Sequence, residues 1–262
     1  MILPASYANG FAPRDGEPLF PELWRGCVGA WNPGLGPTGL TLRDWSGRAN
    51  DGTLTNGPFW VASQGKYAMS FDGTNDYVQS TALPFINQNP KTLAAWVRVD
   101  GGSGTDRFIL SEDAKTDFGL GSTLRVNSAN VFRGWGQDAK YLVDSTTSPV
   151  LGQWYHVALT YSGASGQNKM FVNGILENTV GVGVEDARSA LPLQIGRWPA
   201  TSSLYFNGLI DDVRIYNRAL SPNEIRTLAT RCGIAWELSP RRRASLVAGF
   251  NRRRRLLVGA SS

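Results

Sequence analysis

This chain of 262 residues has few of the side chains on which metal sites and many enzymes depend. It contains one His and two Cys, which excludes a site built from several histidines, a cysteine-rich zinc site and a disulfide scaffold. No apolar run approaches the roughly 20 residues that a membrane-spanning helix needs. Residues 1–10 also lack the basic start and the apolar run of a secretory signal peptide. Either the sequence is that of a mature form, or the protein does not use that export route.

Turn-forming and aromatic residues are abundant instead. The chain has 30 Gly, 14 Pro and 9 Trp, with 42% hydrophobic and 18% charged residues, and this composition is typical of a globular protein with many short strands. From Cys27 onward, apolar runs alternate with turn clusters about every 8–12 residues, as in a β-sandwich or barrel. One helix is indicated, because Ser221-Pro-Asn-Glu224 forms a capping box, and we expect it to end near Cys232.

Twelve short runs are predicted as strands. They cover residues 28–31, 67–71, 77–79, 93–99, 108–110, 118–120, 124–126, 154–161, 169–172, 193–196, 204–206 and 209–216. We expect Trp96 and Trp154 to fill the core between two sheets, because large aromatic side chains dominate core burial. His156 shares a face with Trp154, and we interpret it as a hydrogen-bonded strand residue rather than a catalyst. Asn173-Gly174 predicts a hairpin turn.

Charge is distributed unevenly along the chain. Residues 231–262 contain eight Arg and one acidic residue, Glu237, whereas the remaining residues have a net charge of −2 within a total of +5. We therefore predict a Pro-rich N-terminal arm (residues 1–25), a β-sandwich (26–232) and an Arg-rich C-terminal arm (233–262). Cys27 and Cys232 lie near the two ends of the sandwich, so the sequence allows a disulfide as well as two separate buried thiols.

A series of motifs occurs in a recognisable order between residues 26 and 230. They occupy residues 28–31, 44–54, 69–78, 95–97, 152–157, 170–174, 193–196 and 206–221. This order resembles the laminin-G-like branch of the concanavalin A-like lectin/glucanase superfamily. The resemblance implies an all-β jelly-roll sandwich of two antiparallel sheets. It implies function only weakly, because this fold hosts lectins, adhesins, glycosidases and structural modules.

The same resemblance implies a structural Ca²⁺ that joins an early loop to a late strand. Asp44 and Asn50 in the loop, and Asp211 and Asp212 in the strand, are the candidate ligands, since calcium prefers oxygen donors. Adjacent strand residues point to opposite faces, so one of the two strand acids would lie on a packed face and need a partner. The alternative is that these side chains cap turns and accept backbone N–H bonds.

The chain lacks the motifs of the enzymes that share this fold. Glucanases carry paired carboxylates in a Glu-x-Asp-x-x-Glu pattern on one strand, and no such pattern is present. The adjacent acids Glu112-Asp113 and Glu185-Asp186 diverge in a strand and are interpreted as loop residues. No Gly-x-Ser-x-Gly elbow or phosphate loop occurs. We therefore expect a protein that is not an enzyme.

Sugar binding requires aromatic platforms and planar polar side chains. Three aromatic residues are candidates for exposed platforms: Trp135, Trp198 and Tyr205. Hydrogen bonds to a sugar are expected from Arg133, Gln137 and Arg197. The alternative for Trp135 and Trp198 is that they cover the ends of the sandwich.

The C-terminal arm contains two arginine clusters on either side of the apolar segment 244–250, and a second apolar segment, 256–258, follows. The clusters are Arg241, Arg242 and Arg243, and Arg252, Arg253, Arg254 and Arg255. Arginine favours bidentate contacts to carboxylates or phosphates. A solvated basic tail is the alternative, but the apolar segments indicate an arm held by its own sandwich, by another copy or by a larger assembly.

These features together fit a structural and adhesion protein of a virion. The leading hypothesis is a phage component, either a head-decoration protein or a tail or fibre protein. Its arms would bind other virion proteins or another copy of the chain, and its sandwich would bind host surface glycans weakly. The alternative is an extracellular or cell-surface carbohydrate-binding module whose basic tail binds an acidic polymer. A nucleic acid as the partner of the tail is the least favoured hypothesis.

Overall fold

The computed structural model describes residues 21–63, 66–82, 90–113, 121–135, 141–163, 166–182, 192–199 and 203–230. Within them the chain forms sixteen strands and one α-helix, α1 (Pro222–Thr230). The strands are β1 (Cys27–Trp31), β2 (Thr41–Leu42), β3 (Gly52–Thr55), β4 (Phe59–Ser63), β5 (Lys66–Asp72), β6 (Tyr77–Ala82), β7 (Lys91–Val99), β8 (Arg107–Asp113), β9 (Gly121–Val126), β10 (Phe132–Trp135), β11 (Val143–Asp144), β12 (Trp154–Tyr161), β13 (Gln167–Val172), β14 (Ile175–Gly181), β15 (Pro192–Ile195) and β16 (Asn207–Tyr216). No helix in this part of the chain is long and apolar enough to cross a membrane.

The strands of the described part form two antiparallel sheets of eight strands each. Sheet A has the order β14-β13-β12-β7-β16-β5-β4, and β1 pairs with the second half of β16, beyond the part that pairs with β5. Sheet B has the order β11-β10-β9-β8-β15-β6-β3-β2. The sheets face one another across one apolar core. The predicted all-β jelly-roll sandwich is therefore confirmed.

The core follows the alternation of apolar residues along each strand. Strand β7 contributes four fully buried residues to it: Leu93, Ala95, Val97 and Val99. Trp96 lies between two of them in sequence, so its side chain is on the outer face of sheet A, where its ring contacts His156 with centroids 5.5 Å apart. Trp154 is on the same face as His156, two residues along β12. The prediction that Trp96 and Trp154 fill the core is wrong, because their strand positions alternate with those of the core residues.

A second apolar cluster covers the outer face of sheet A. Helix α1 contributes Ile225 and Leu228, and the segment before β1 contributes Leu23 and Trp24, which we had placed in the N-terminal arm. The predicted capping box begins the helix: Ser221 Oγ accepts the N–H of Glu224 (3.3 Å), and the Glu224 carboxylate accepts the N–H of Ser221 (2.8 Å). The N-terminal and C-terminal elements of the described body thus pack together on one sheet.

The structure also tests predictions about one turn and about single strands. The hairpin turn is confirmed, with φ of 51° at Asn173 and 80° at Gly174. The predicted strand at 204–206 is wrong, because this segment forms only an isolated bridge between Tyr205 and Arg197. The predicted strand at 118–120, residues 1–20 of the N-terminal arm, the whole C-terminal arm (233–262) and Cys232 lie outside the described residues.

Candidate functional site

Asp44 holds the loop after β2 through four hydrogen bonds. Its Oδ1 accepts the backbone N–H of Ala30 (2.9 Å) and of Ser46 (2.8 Å). Its Oδ2 accepts the Ser46 hydroxyl (2.7 Å) and the N–H of Asn50 (3.0 Å). Burial raises the pKa of Asp44, and the hydrogen bonds from Ser46, Ala30 and Asn50 act against this rise. The carboxylate is therefore surrounded by N–H and O–H donors, which occupy the positions that a cation would need.

Asp211 and Asp212 are buried in β16, and each is paired with a basic side chain. Asp211 accepts a hydrogen bond from Lys66 Nζ, and burial raises the pKa of Asp211 to about 6 against the charge of Lys66. Asp212 accepts hydrogen bonds from Arg214 on both carboxylate oxygens (3.0 and 3.2 Å). The expectation that the two acids lie on opposite faces is wrong, because a bulge with φ of 46° at Asp212 interrupts the alternation.

The early loop and the late strand are joined by hydrogen bonds that run through β1. Ala30 of β1 donates to Asp44, and Asn32, which follows β1, donates its side-chain amide to Asp212 (3.4 Å). No group of three or more His, Cys, Asp or Glu side chains able to hold a metal occurs among the described residues. The four residues predicted as calcium ligands do not fit a metal in this arrangement. The contacts of Asp44 match the alternative, in which these side chains cap turns and accept backbone N–H bonds, whereas Asp211 and Asp212 bind basic side chains.

Two other titratable residues considered in the sequence are buried. Glu112, predicted in a loop, lies in β8 and is 3% exposed. Burial lowers the pKa of Lys91 to about 8, while the charge of Glu112 opposes this change. Burial lowers the pKa of His156 to about 4. The His156 backbone N–H donates to Asn173 Oδ1 (2.9 Å), but its ring Nδ1 has no hydrogen-bond partner in the described part of the chain. The acids Glu185-Asp186 lie outside the described residues.

The aromatic residues predicted as exposed platforms are buried. Trp135 is 1% exposed, Trp198 is 0% exposed and Tyr205 is 8% exposed, so the prediction of exposure is wrong for all three. Trp198 stacks on Phe108 with ring centroids 5.1 Å apart. Arg133 forms a bidentate ion pair with Asp144 (2.5 and 2.6 Å). Gln137 lies outside the described residues.

These residues nevertheless belong to one continuous set of contacts on the outer face of sheet B. The guanidinium of Arg125 lies 4.9 Å from the ring centre of Trp135 and 5.0 Å from that of Phe108. Phe108 in turn stacks on Trp198. The two tryptophans are thus linked across three strands by an arginine and a phenylalanine, which the sequence analysis did not identify.

The strand register also places polar side chains next to one another across this face. We call these residues the polar row: Trp135, Thr123, Ser111, Gln194, Gln79 and Thr53. They alternate in sequence with residues that point into the core, such as Leu124, Leu110 and Val78. Gln79 and Thr53 are exposed, whereas the other four members are buried. The alternation was visible in the sequence, but the alignment of the members needed the strand order.

Arg197 lies at the exposed end of the polar row. Its guanidinium is 3.7 Å from the ring centre of Tyr77, and its Nε donates to Gln194 Oε1 (3.1 Å). Gln194 Nε2 donates to Gln79 Oε1 (2.9 Å). The Ser111 hydroxyl donates to the carbonyl oxygen of Arg197 (2.9 Å), which fixes the backbone as well. Arg133 and Arg197 are both half-buried residues predicted to bind a sugar. Arg133 pairs with Asp144, whereas Arg197 pairs with no carboxylate in the described part of the chain.

Solved structures with the same fold include a sialidase and two toxin domains. The sialidase of Trypanosoma rangeli in complex with sialic acid has a TM-score of 0.61 at 21% identity, over 78% of this chain and 33% of that chain. The binding domain of Paraclostridial Mosquitocidal Protein 1 has a TM-score of 0.62 at 15% identity, over 79% of this chain and 52% of that chain. The receptor binding domain of botulinum neurotoxin mosaic serotype C/D has a TM-score of 0.60 at 13% identity, over 79% and 51%. The chain thus spans about a third of the sialidase.

The expectation that the protein is not an enzyme is contradicted by this comparison. The structures that share its fold include sialidases, which are enzymes. The absence of a paired-carboxylate motif therefore does not exclude enzymes from the structural relatives of this chain.

The sequence comparisons agree with the architecture. The chain has no significant match among curated proteins. Residues 72–226 match the family described as the concanavalin A-like lectin/glucanases superfamily. This match covers most of the sandwich, from the end of β5 into α1. The chain belongs to the concanavalin A-like lectin/glucanases superfamily.

Proposed function

We propose that the sandwich is a carbohydrate-binding module whose ligand lies on the outer face of sheet B. The polar row carries this proposal, because it aligns hydroxyl and amide groups of neighbouring strands beside aromatic rings. Sugars combine hydroxyl groups, which need hydrogen-bond donors and acceptors, with apolar ring faces. Ligand sites commonly combine apolar surface with a few well-placed polar groups in this way.

The accessible part of this face is the end formed by Gln79 and Thr53, with Arg197 and Tyr77 beside it. The buried members of the row hold this end in place through hydrogen bonds, as Gln194 and Ser111 do. The solved relatives support the proposal, since one is a complex with sialic acid and two are binding domains.

A glycan array with matched variants tests the proposal. The full chain should bind at least one class of carbohydrate, and Gln79→Ala and Thr53→Ala should each bind it about 2- to 10-fold more weakly, as expected for a lost neutral hydrogen bond. Thr179→Ala, an exposed threonine of β14 in sheet A, should bind like the unmodified chain. Absence of binding to every carbohydrate, or an equal loss in the Thr179 variant, would contradict the proposal.

We also propose a setting for this module, which rests on the sequence of the C-terminal arm. In a virion, the arm would attach the sandwich to other virion proteins or to another copy, and the sandwich would bind surface glycans of the host. The alternative setting is a cell surface, where the basic arm binds an acidic polymer. Both settings use the same carbohydrate-binding face.

Deletion of residues 236–262 separates the two settings. In a virion, the deletion should abolish attachment to the particle while far-UV circular dichroism and glycan binding stay unchanged. On a cell surface, it should abolish binding to an acidic polymer such as heparin, and no particle should contain the protein.

A further inference from the structure

We infer that the carbohydrate bound on sheet B is acidic and that Arg197 binds its carboxylate. This inference rests on the proposed function and concerns the class of ligand. It follows from the way in which Arg197, Tyr77, Gln194 and Gln79 are arranged at the exposed end of the polar row.

The guanidinium of Arg197 is fixed in place before any ligand binds. It stacks on Tyr77 at 3.7 Å, and its Nε donates to Gln194. Its backbone is held by Ser111. Stacking and one hydrogen bond orient the plane of a guanidinium, so less conformational entropy is lost when its remaining N–H groups bind a ligand.

The backbone before Arg197 supports the same orientation. Gly196 has φ of 89°, and a Cβ atom at this position would lie 2.5 Å from the ring of Phe71 in the core. Only glycine fits here without a shift of the core ring. The chain can therefore turn at the end of β15 and place Arg197 over the outer face of sheet B.

The two terminal nitrogens of Arg197 differ from those of the ion-paired arginines. Five other arginines of the described part pair with a carboxylate: Arg98, Arg125, Arg133, Arg214 and Arg218. Arg197 is half-buried and oriented like them, but no described carboxylate or other acceptor binds its Nη1 or Nη2. A planar fork of two parallel donors fits a carboxylate in bidentate geometry.

The hydrogen bonds of Gln194 and Gln79 leave a further N–H donor at the same end of the polar row. Arginine has no acceptor, so Gln194 must turn its oxygen toward Arg197 and its nitrogen toward Gln79. Gln79 then accepts with its oxygen and keeps its amide nitrogen as a donor. The exposed end of the row therefore offers donors from Arg197 and Gln79, which suits a sugar that carries a carboxylate and further oxygen acceptors.

The test compares sugars that differ only in whether one carboxyl group is charged. The probes are sialyllactose against its methyl ester, and galacturonic acid against its methyl ester. The full chain should bind at least one acidic member about 10- to 100-fold more tightly than its neutral partner, the range expected for hydrogen bonds to a charged group. This preference should decrease as salt concentration rises.

Variants identify the residue responsible. Arg197→Gln should abolish the preference, because it weakens binding of the acidic member far more than binding of the neutral member, and Arg197→Lys should restore only part of it, since lysine lacks the fork. Tyr77→Leu should weaken the preference without abolishing it. The matched control is Arg98→Gln in sheet A, a half-buried arginine paired with Asp100, which should retain the full preference. Thermal melting checks that each variant is folded.

The outcomes separate this inference from the proposed function. Equal binding of the acidic and neutral members, tighter binding of a sulfated analogue than of the carboxylated sugar, or an unchanged preference in Arg197→Gln would overturn the inference and leave carbohydrate binding intact. Failure of every carbohydrate to bind would overturn both.

Discussion

Replacement of Arg214 by Met should destabilise the protein by about 3–5 kcal/mol, the usual cost of leaving one charge of a buried pair without its partner. The side chains of Arg214 and Asp212 are 1% and 4% exposed, and two hydrogen bonds of 3.0 and 3.2 Å join them. After the substitution, Asp212 would keep only the amide of Asn32, at 3.4 Å, among the side-chain donors described for it. Water is excluded from this position, so it cannot replace the guanidinium.

The control is an arginine pair of similar geometry that is accessible to solvent. Arg98 and Asp100 are each 31% exposed and are joined at 2.7 Å. Arg98→Met should therefore cost no more than about 1 kcal/mol, as exposed pairs generally do. Free energies of unfolding are measured by urea denaturation at constant pH, and the slope of the transition shows whether unfolding remains two-state.

A double-mutant cycle decides whether the effect belongs to the pair. The combined variant Asp212→Asn with Arg214→Met should lose less stability than the sum of the two single variants, by at least about 1 kcal/mol, because it contains no unpaired charge. Strict additivity, or a loss below about 1 kcal/mol in Arg214→Met, would refute the account of Asp212 as an ion-pair residue.

Three further predictions follow from the described contacts. Gly208→Ala should lower the free energy of unfolding by about 3 kcal/mol or more, since φ is 141° and a Cβ would lie 2.0 Å from a backbone oxygen of β7. Gly152→Ala, where φ is 79° and the space around the Cβ is open, should lower it by only about 1 kcal/mol. Chemical denaturation measures both values. The single imidazole should titrate near pH 4 by NMR, because burial lowers the pKa of His156 from 6.5 to about 4. Neutral His156 therefore contributes about 3 kcal/mol to the free energy of unfolding above pH 6.5, and this contribution is lost as pH falls to 4. Asp211, whose pKa is raised to about 6, has the opposite effect on stability between pH 6 and 3.8. A chelator should leave the melting temperature unchanged, since the oxygens of Asp44 accept four hydrogen bonds.

Each of these predictions has an outcome that contradicts it. Equal costs at the two glycines would show that the strand contact has no energetic effect. An imidazole that titrates near pH 6.5 in the folded protein would show that His156 is accessible to water. A lower melting temperature in the presence of a chelator would show that a metal stabilises the fold.

Local signals in the sequence were sufficient to predict an all-β sandwich or barrel, and the order of the motifs indicated the jelly-roll sandwich. Alternation along residues 93–99, the Asn173-Gly174 turn and the Ser221–Glu224 capping box depend on neighbouring residues, so they can be recognised without knowledge of the fold. Strand β14 was missed because it is an edge strand whose side chains are mostly exposed, and such a strand needs no alternation of apolar residues.

The candidate site was harder to predict because it depends on contacts between distant strands. Gln79 and Gln194 are 115 residues apart in sequence, yet they share a hydrogen bond. The burial of Trp135 and Trp198 likewise depends on which face of a strand is covered, and sequence alternation does not give this information. Asp212 required a bulge that no local residue pattern indicated.

The contact between the two ends of the described body determines how the module is held. Arg218, just before α1, donates to the carbonyl oxygens of Arg25 and Glu22, just before β1. Both ends of the described body therefore lie on the side of sheet A, opposite the side that carries Gln79 and Arg197. A support that binds this side of the body would leave the face with Gln79 and Arg197 accessible, and many modules bound in the same way would all present sheet B outward.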